Sequence, residues 1–364
     1  MLKKRQILID LVQAAIWDRP ADTSQWQKPV DWNGVYELAK TQALRGLAID
    51  AILNLPVEWL PEKPWYVARL NRLMEMAQDN ALHQAVSNEL LDRFEANGVH
   101  ALLMKGVTMG ALYPNPQYRA CGDIDLYIGP EKYDQAINLL CEWAGSHQTD
   151  VVKDDKHTSL FYKSIEIELH RITEYFSVPN YNRRWQEWTR ACLDNCKERE
   201  FPLNYNVVFL FNHIWHHFCI YGIGLRQFCD WTLYLHHHAA EIDREALKKD
   251  LERIGLFRQW QMFGCVAVDT LGLPEEEFPY YDGRYRNKAT RIVNQVFEDG
   301  NFGKSGRWLA GKPRNYLKRK LHSAYFWCKR LAMVWQFSPV YATFTVLDYM
   351  KFGVEVVFKD LLKK

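Results

Sequence analysis

The chain has 364 residues, with 46 Lys+Arg against 44 Asp+Glu, a formal net charge of +2, and 48% hydrophobic residues. At ~150 residues per domain that length suggests about two domains, enough to bury a core without disulfide or zinc staples. The near-balanced charge argues against a dedicated duplex-DNA-binding protein, and 14% aromatic residues exclude a disordered chain.

The N-terminus, MLKKRQILIDLVQAAIWDRP, opens like a signal peptide, with positive charge and then apolar residues. Asp10, Gln13 and Asp18 interrupt the apolar run, and no small-residue cleavage site follows. Ile7, Leu8, Leu11, Ala14 and Ala15 recur at helical spacing, which predicts an amphipathic helix. WNGVYELAKTQALRGLAIDAIL continues the helical pattern, and Pro56 and Pro61 bound the loop after it. A long helix is expected from about Trp65 to Glu95, stopped by Asn97-Gly98. The period then changes. Residues 100–104 (HALLM) form a short apolar run ending in Lys105-Gly106, and 123–128 (DIDLYI) alternate until Gly129-Pro130, so both read as strands. Residues 131–144 return to helical spacing, and Thr158 to Lys163 and Ile165 to His170 alternate again. The order strand, strand, helix, strand, strand predicts a small mixed sheet with helices on one face. From about Trp185 the chain reads as helical and rich in aromatics. No stretch approaches ~18 uninterrupted apolar residues, so no membrane span is expected.

The chemistry concentrates in residues 102–128, LLMKGVTMGALYPNPQYRACGDIDLYI. Asp123 and Asp125 are two apart on a strand, so their carboxylates leave one face about 7 Å apart. Such a pair holds hard divalent cations, whereas without a cation it suffers like-charge repulsion. D-x-D alone favours the plainer reading, in which one acid faces solvent at a turn. The context adds to it. Gly106, at a strand-to-helix turn, lets backbone N–H groups approach a phosphate, and Arg119 is within reach of the same anion. Glu166, Glu168 and His170 share one face of a further strand, which supplies a third carboxylate for two-metal phosphoryl chemistry. Spacing does not choose between Glu166 and Glu168.

A glycine after an apolar strand, D-x-D on a second strand and an acid on a third resemble the DNA polymerase β-like nucleotidyltransferases. More closely, LLMKG…RACGDIDLYI…IEIELH is similar to an uncharacterised bacterial nucleotidyltransferase family with a K-G…R-x-x-x-D-x-D-L core and an E-L-H third strand. The motif match covers about residues 100–171, and weaker similarity extends through GIGLRQFCDW (222–231) and EDGNFGK (298–304). The resemblance implies that Lys105 and Gly106 cradle a triphosphate and that Asp123 and Asp125 bind both of two Mg²⁺ ions, or Mn²⁺. It places Glu168, beside Leu169-His170, as the third metal ligand, helping to activate an acceptor hydroxyl. It makes Arg226 and Asp230, four apart on one helix face, candidates for lining the nucleotide or acceptor cleft, although they can simply pair. One departure is visible: the superfamily's common Gly-Gly or Gly-Ser turn is here Lys105-Gly106-Val107, and the interval to Asp123 is long.

Other signals are weaker. His213, His216 and His217 have helical i, i+3, i+4 spacing, but no carboxylate or cysteine accompanies them, which favours a packed or substrate-facing helix over a zinc site. His236-His237-His238 suits a helix end. Gly303-Lys304-Ser305 lacks the earlier glycine of a Walker loop, since position 298 is Glu298, and reads as a turn. Arg314, Lys318, Arg319 and Lys320 with Trp327, Trp335 and Phe337 can form a single-stranded RNA surface or a helix pair with solvated lysines. The eight cysteines are scattered, and Cys192 and Cys196 have no second pair to complete a metal site; reduced thiols in a cytoplasmic protein are expected.

The expected architecture is α+β, with a helical region at 1–64, a polymerase β-like nucleotidyltransferase core at 65–175 and a helical domain at 176–364. The expected activity moves a nucleoside monophosphate from a nucleoside triphosphate, ATP among them, to a hydroxyl of a small molecule, a protein or an RNA. The alternative is a nucleotide-binding sensor or scaffold without turnover.

Overall fold

The computed structural model describes residues 2–145, 152–153, 155–194, 196–303 and 315–348. α1 (Leu2–Ile16) is the amphipathic helix expected from its pattern, since Ile7, Leu8, Leu11, Ala14 and Ala15 are all buried. α2 (Trp32–Thr41) and α3 (Arg45–Leu53) come from one continuous apolar pattern, but the chain turns between them, where Ala43 has φ 57°. Gln42 causes the break. Its buried amide donates to Val296 O at 3.2 Å and accepts from Leu225 N at 3.0 Å, a tertiary anchor that local spacing does not encode. α4 (Lys63–Ala96) has Pro64 in its first turn and ends before Asn97-Gly98, as its stop signal predicts.

β1 (Leu102–Leu103) is shorter than the apolar run that announces it. A single turn, α5 (Val107–Gly110), follows it, and then come β2 (Ile124–Tyr127), α6 (Tyr133–Ala144), β3 (Val152–Lys153), β4 (His157–Tyr162) and β5 (Ile165–His170). The two-residue edge strand β3 has no apolar alternation, and its pattern did not announce it. The sheet order is β1-β2-β5-β4-β3. β4 and β5 form a hairpin around Lys163-Ser164, both with positive φ (49° and 67°), the conformation that matches strand twist in a two-residue turn. β2 and β5 pair in parallel, with Asp125 opposite Glu168 and Tyr127 opposite His170.

That register sorts the two faces. Ile124, Leu126, Ile165, Ile167 and Leu169 pack with Val86, Leu90 and Phe94 of α4 and with Ala136, Ile137 and Leu140 of α6. By alternation, Asp125, Glu168 and His170 project from the opposite face. A second cluster joins α1–α3 to α7 (Pro179–Leu193), α8 (Leu203–Ile220), α9 (Leu225–His237), α10 (Arg244–Arg253), α11 (Phe257–Asp269) and α12 (Arg286–Asp299). Trp185, Trp215, Trp231 and Trp260 are fully buried in it. Burying each such side chain stabilises the fold by roughly 1.5–3 kcal/mol before entropy is counted. α13 (Tyr316–Trp335) and a helix at 339–348 close the described chain. Among the described residues no helix is long and apolar enough to cross a membrane. The eight cysteines form no disulfide. The architecture is α+β with a small mixed sheet flanked by helices, as expected.

Candidate active site

The D-x-D pair sits where a loop becomes β2. Asn80 on α4 donates to Gln117 O at 2.7 Å and Arg119 O at 2.8 Å, and His83 Nε2 lies 3.0 Å from Gly122 O, so α4 fixes the loop that delivers Asp123. Asp125 follows inside β2 and is fully buried, and β5 sets Glu168 directly beside it. One carboxylate oxygen from each of Asp123, Asp125 and Glu168 lies within 4.8 Å of the others. Glu166, two residues back on the same strand, is exposed and stands opposite Phe161 of β4.

Two basic side chains enter the acid group. Lys105 Nζ is 3.3 Å from Asp125 Oδ2, and His170 Nε2 is 2.9 Å from Asp125 Oδ1 and 3.3 Å from Glu168 Oε2. Burial alone raises the Asp125 pKa, but Lys105 and His170 overcome it and hold that carboxyl far below the usual range. Asp123 moves the other way, because the Asp125 charge and then burial raise it. Burial lowers the His170 pKa, yet its contacts with Asp125 and Glu168 raise it overall. Lys105 is likewise pushed up against burial by Asp125, Asp123 and Glu168. Divalent cations fit these residues. The donors are hard oxygens converging from β2, the loop before it and β5, and three carboxylates face the two basic side chains named above, Lys105 and His170.

A cleft of about 470 Å³, counting space open to solvent, adjoins the acids. Lys105, Gly106, Arg119, Asp123, Arg226 and Asp230 all line it, as do His213 and Phe302. Gly106 has φ 82°, a left-handed conformation that a side chain strains, and it opens the turn into α5. Arg119 is committed: its Nε and Nη2 donate to Asp230 Oδ1 and Oδ2 at 2.8 and 2.7 Å, and Tyr113 donates to the same carboxylate at 2.7 Å. Arg226 therefore does not pair with Asp230 by hydrogen bond; its guanidinium donates to Ala120 O.

The sequence missed one acid. Glu174, just past β5, is fully buried beside the α8 histidines, with His213 Nδ1 3.7 Å away, His216 Nδ1 3.6 Å away and Lys156 Nζ 3.1 Å away. Its isolated place after a strand carries no spacing signal. Burial opposes the charge, but His216 and Lys156 hold the Glu174 pKa well down. Burial, then the Lys105 charge, pushes His213 down to about 3, so it faces the cleft as a neutral ring. His236 and His237 end α9 and His238 caps it, as expected. Phe302 precedes Gly303 in a tight turn; Lys304, Ser305 and Arg314 lie outside the described residues. Lys318 and Arg319 are exposed on α13, as is Trp335 at 55%, whereas Phe337 is in the core.

The model of a family described as "uncharacterised nucleotidyltransferase" matches residues 28–272, about two thirds of the chain. The chain belongs to this family. It is a nucleotidyltransferase, hence a transferase enzyme, and a nucleoside triphosphate substrate follows from that membership. The matched span of the nucleotidyltransferase contains the whole sheet, the three acids and helices α8 and α9 that wall the cleft. No curated protein and no solved structure matches the chain.

Proposed function

We propose that this nucleotidyltransferase binds a nucleoside triphosphate with Mg²⁺ in the cleft between the sheet and helices α8 and α9, and transfers the nucleoside monophosphate to a hydroxyl acceptor. The carrying observation is the convergence of Asp123, Asp125 and Glu168 within 4.8 Å, beside a cleft that Lys105 and Gly106 also line. On this reading residues 65–175 are the catalytic core, 176–364 are the helical domain whose α8, α9 and Phe302 supply the remaining wall, and 1–64 are a helical region apart from the cleft.

Divalent cations held by the three acids neutralise phosphate charge and make the acceptor hydroxyl more acidic. The chain's own residues do the rest. Lys105 and the backbone after Gly106 hold the triphosphate, and Arg226 adds positive charge at the cleft. The acceptor oxygen bonds to the α-phosphorus as the bond to pyrophosphate breaks, and the hydroxyl proton passes to Glu168. The Arg119–Asp230 pair positions the loop before β2 against α9, so the acids need no rearrangement as charge develops.

Calorimetry with ATP, GTP, CTP and UTP in Mg²⁺ tests this, alongside transfer of an α-labelled nucleotide. Asp123→Ala and Asp125→Ala should abolish transfer and Mg²⁺-dependent binding while both remain folded. Full activity in both variants overturns the site. Binding without transfer to any acceptor favours a sensor or scaffold.

A further inference from the structure

The face of β4 and β5 carries a second set of metal-ligating side chains. His157 and His170 are directly opposed in the β4–β5 register, and Glu168 precedes His170 by two residues on the same face. Directly opposed residues bring their Cβ atoms to about 4.5–5.5 Å. Here the two rings lie 5.1 Å apart and are tilted by 30°. They straddle one carboxylate, with His157 Nε2 3.6 Å from Glu168 Oε1 and His170 Nε2 3.3 Å from Glu168 Oε2. A ring nitrogen of each histidine and one Glu168 oxygen fall within 4.8 Å of one another. Exposure runs from 23% at His157 through 18% at Glu168 to 3% at His170, so the group is sheltered yet open on one side. All three sit on paired strands, which fix ligand directions better than loops do.

Two imidazoles and one carboxylate are a poor set for Mg²⁺, which takes oxygen donors, and a good one for borderline first-row cations. We propose that His157, Glu168 and His170 form a separate position for a divalent transition cation, from Mn²⁺ to Zn²⁺. It adjoins the Asp123/Asp125 position through the shared Glu168 and through His170, whose Nε2 is also 2.9 Å from Asp125 Oδ1 and must give up that contact to a cation. This rests on the nucleotidyl-transfer reading only for the second role of Glu168. The protein then carries two unlike cation positions side by side, one of oxygen donors and one rich in nitrogen.

Pulsed EPR of the full chain with Mn²⁺ and no nucleotide tests the proposal. Imidazole nitrogen couplings to Mn²⁺ are expected, displaced by one equivalent of Zn²⁺ and retained in Asp123→Asn. In His157→Asn the couplings should weaken and Mn²⁺ affinity fall at least about tenfold, with Mg²⁺ affinity nearly unchanged. Bound Mn²⁺ without nitrogen coupling in the wild type overturns the proposal and leaves the three-acid site standing. Couplings that His157→Asn does not change also overturn it, because they come from elsewhere, such as the His236–His238 run. Couplings that behave as expected in a protein that binds no nucleotide uphold the proposal and remove the nucleotidyl-transfer reading instead. Absence of any bound Mn²⁺ removes the position outright.

Discussion

Two buried charge groups meet the segment 119–125, Arg119 in one and Asp123 and Asp125 in the other, and they are built on opposite principles. Arg119 and Asp230 are one positive and one negative group, 3% and 8% exposed, joined by two hydrogen bonds and completed by the Tyr113 hydroxyl. Three hydrogen bonds engage both oxygens of that carboxylate. The group around Asp125 instead holds three acids against Lys105 and His170, with Lys105 Nζ 3.3 Å from Asp125 Oδ2 and His170 Nε2 2.9 Å from Oδ1. The first group is closed and fixes two elements to each other. The second has acids in surplus over bases, a state that a cation completes. Burial alone does not separate structural from functional charge; saturation does.

Breaking the closed pair gives the largest expected effect. Asp230→Ala leaves the Arg119 guanidinium buried and unpaired, which should cost about 3–5 kcal/mol in urea unfolding. Arg119→Met with Asp230→Leu should recover most of that loss, because an apolar pair of similar volume carries no stranded charge. A loss under about 1 kcal/mol in the single variant means that the pair opens readily, and the contrast between the two groups fails.

The α8 histidines test a third group, intermediate between these two. His213 is pushed down to about 3 by burial and then by Lys105, and burial also lowers His216 and His217. The folded chain resists protonating these rings even with Glu174 beside His213 and His216, while the unfolded chain takes up protons below the ordinary value of about 6.5. Stability is therefore greatest above pH 6.5 and falls as the pH drops, for His213 until about pH 3. His170, whose folded pKa is raised, opposes this with a contribution present below pH 6.5 and lost as the pH rises through its folded value. His213→Asn should flatten the pH dependence by up to about 1.4 kcal/mol per pH unit between pH 6.5 and pH 4. Urea midpoints at pH 5 and 7 measure it, and an unchanged slope shows that His213 is solvated.

Much of this was legible in the residues, and the limits have physical causes. The alternation in 165–170 and the D-x-D strand announced β5 and β2, because a half-buried sheet writes its faces into every second residue. The helical stops at Asn97-Gly98 and His236–His238 were legible because capping is local. Long-range anchors are not local. Gln42 splits a continuous helical pattern for the sake of Leu225 and Val296. Glu174 reaches the histidines from another element, and Arg119 takes Asp230 away from Arg226. Which strands neighbour one another is also a tertiary fact, so the placement of Glu168, and not Glu166, beside Asp125 emerges only from the parallel register.

The smallest predicted effect is also the sharpest, because it divides two neighbouring acids by sign. The folded pKa of Asp123 is raised, so its charge costs more in the folded chain than in the unfolded one, and stability is lost as the pH rises past about 3.8. The folded pKa of Asp125 is lowered by Lys105 and His170 against burial, so its charge contributes stability above about 3.8 that is lost on acidification. In metal-free buffer at pH 7, Asp123→Asn should raise the urea midpoint and Asp125→Asn should lower it. Mg²⁺ at about 100 times its Kd should then add about 2.7 kcal/mol to the wild type and much less to either variant. If both variants shift the same way without Mg²⁺, the acids are solvated as a pair, and their surplus charge is not stored in the fold.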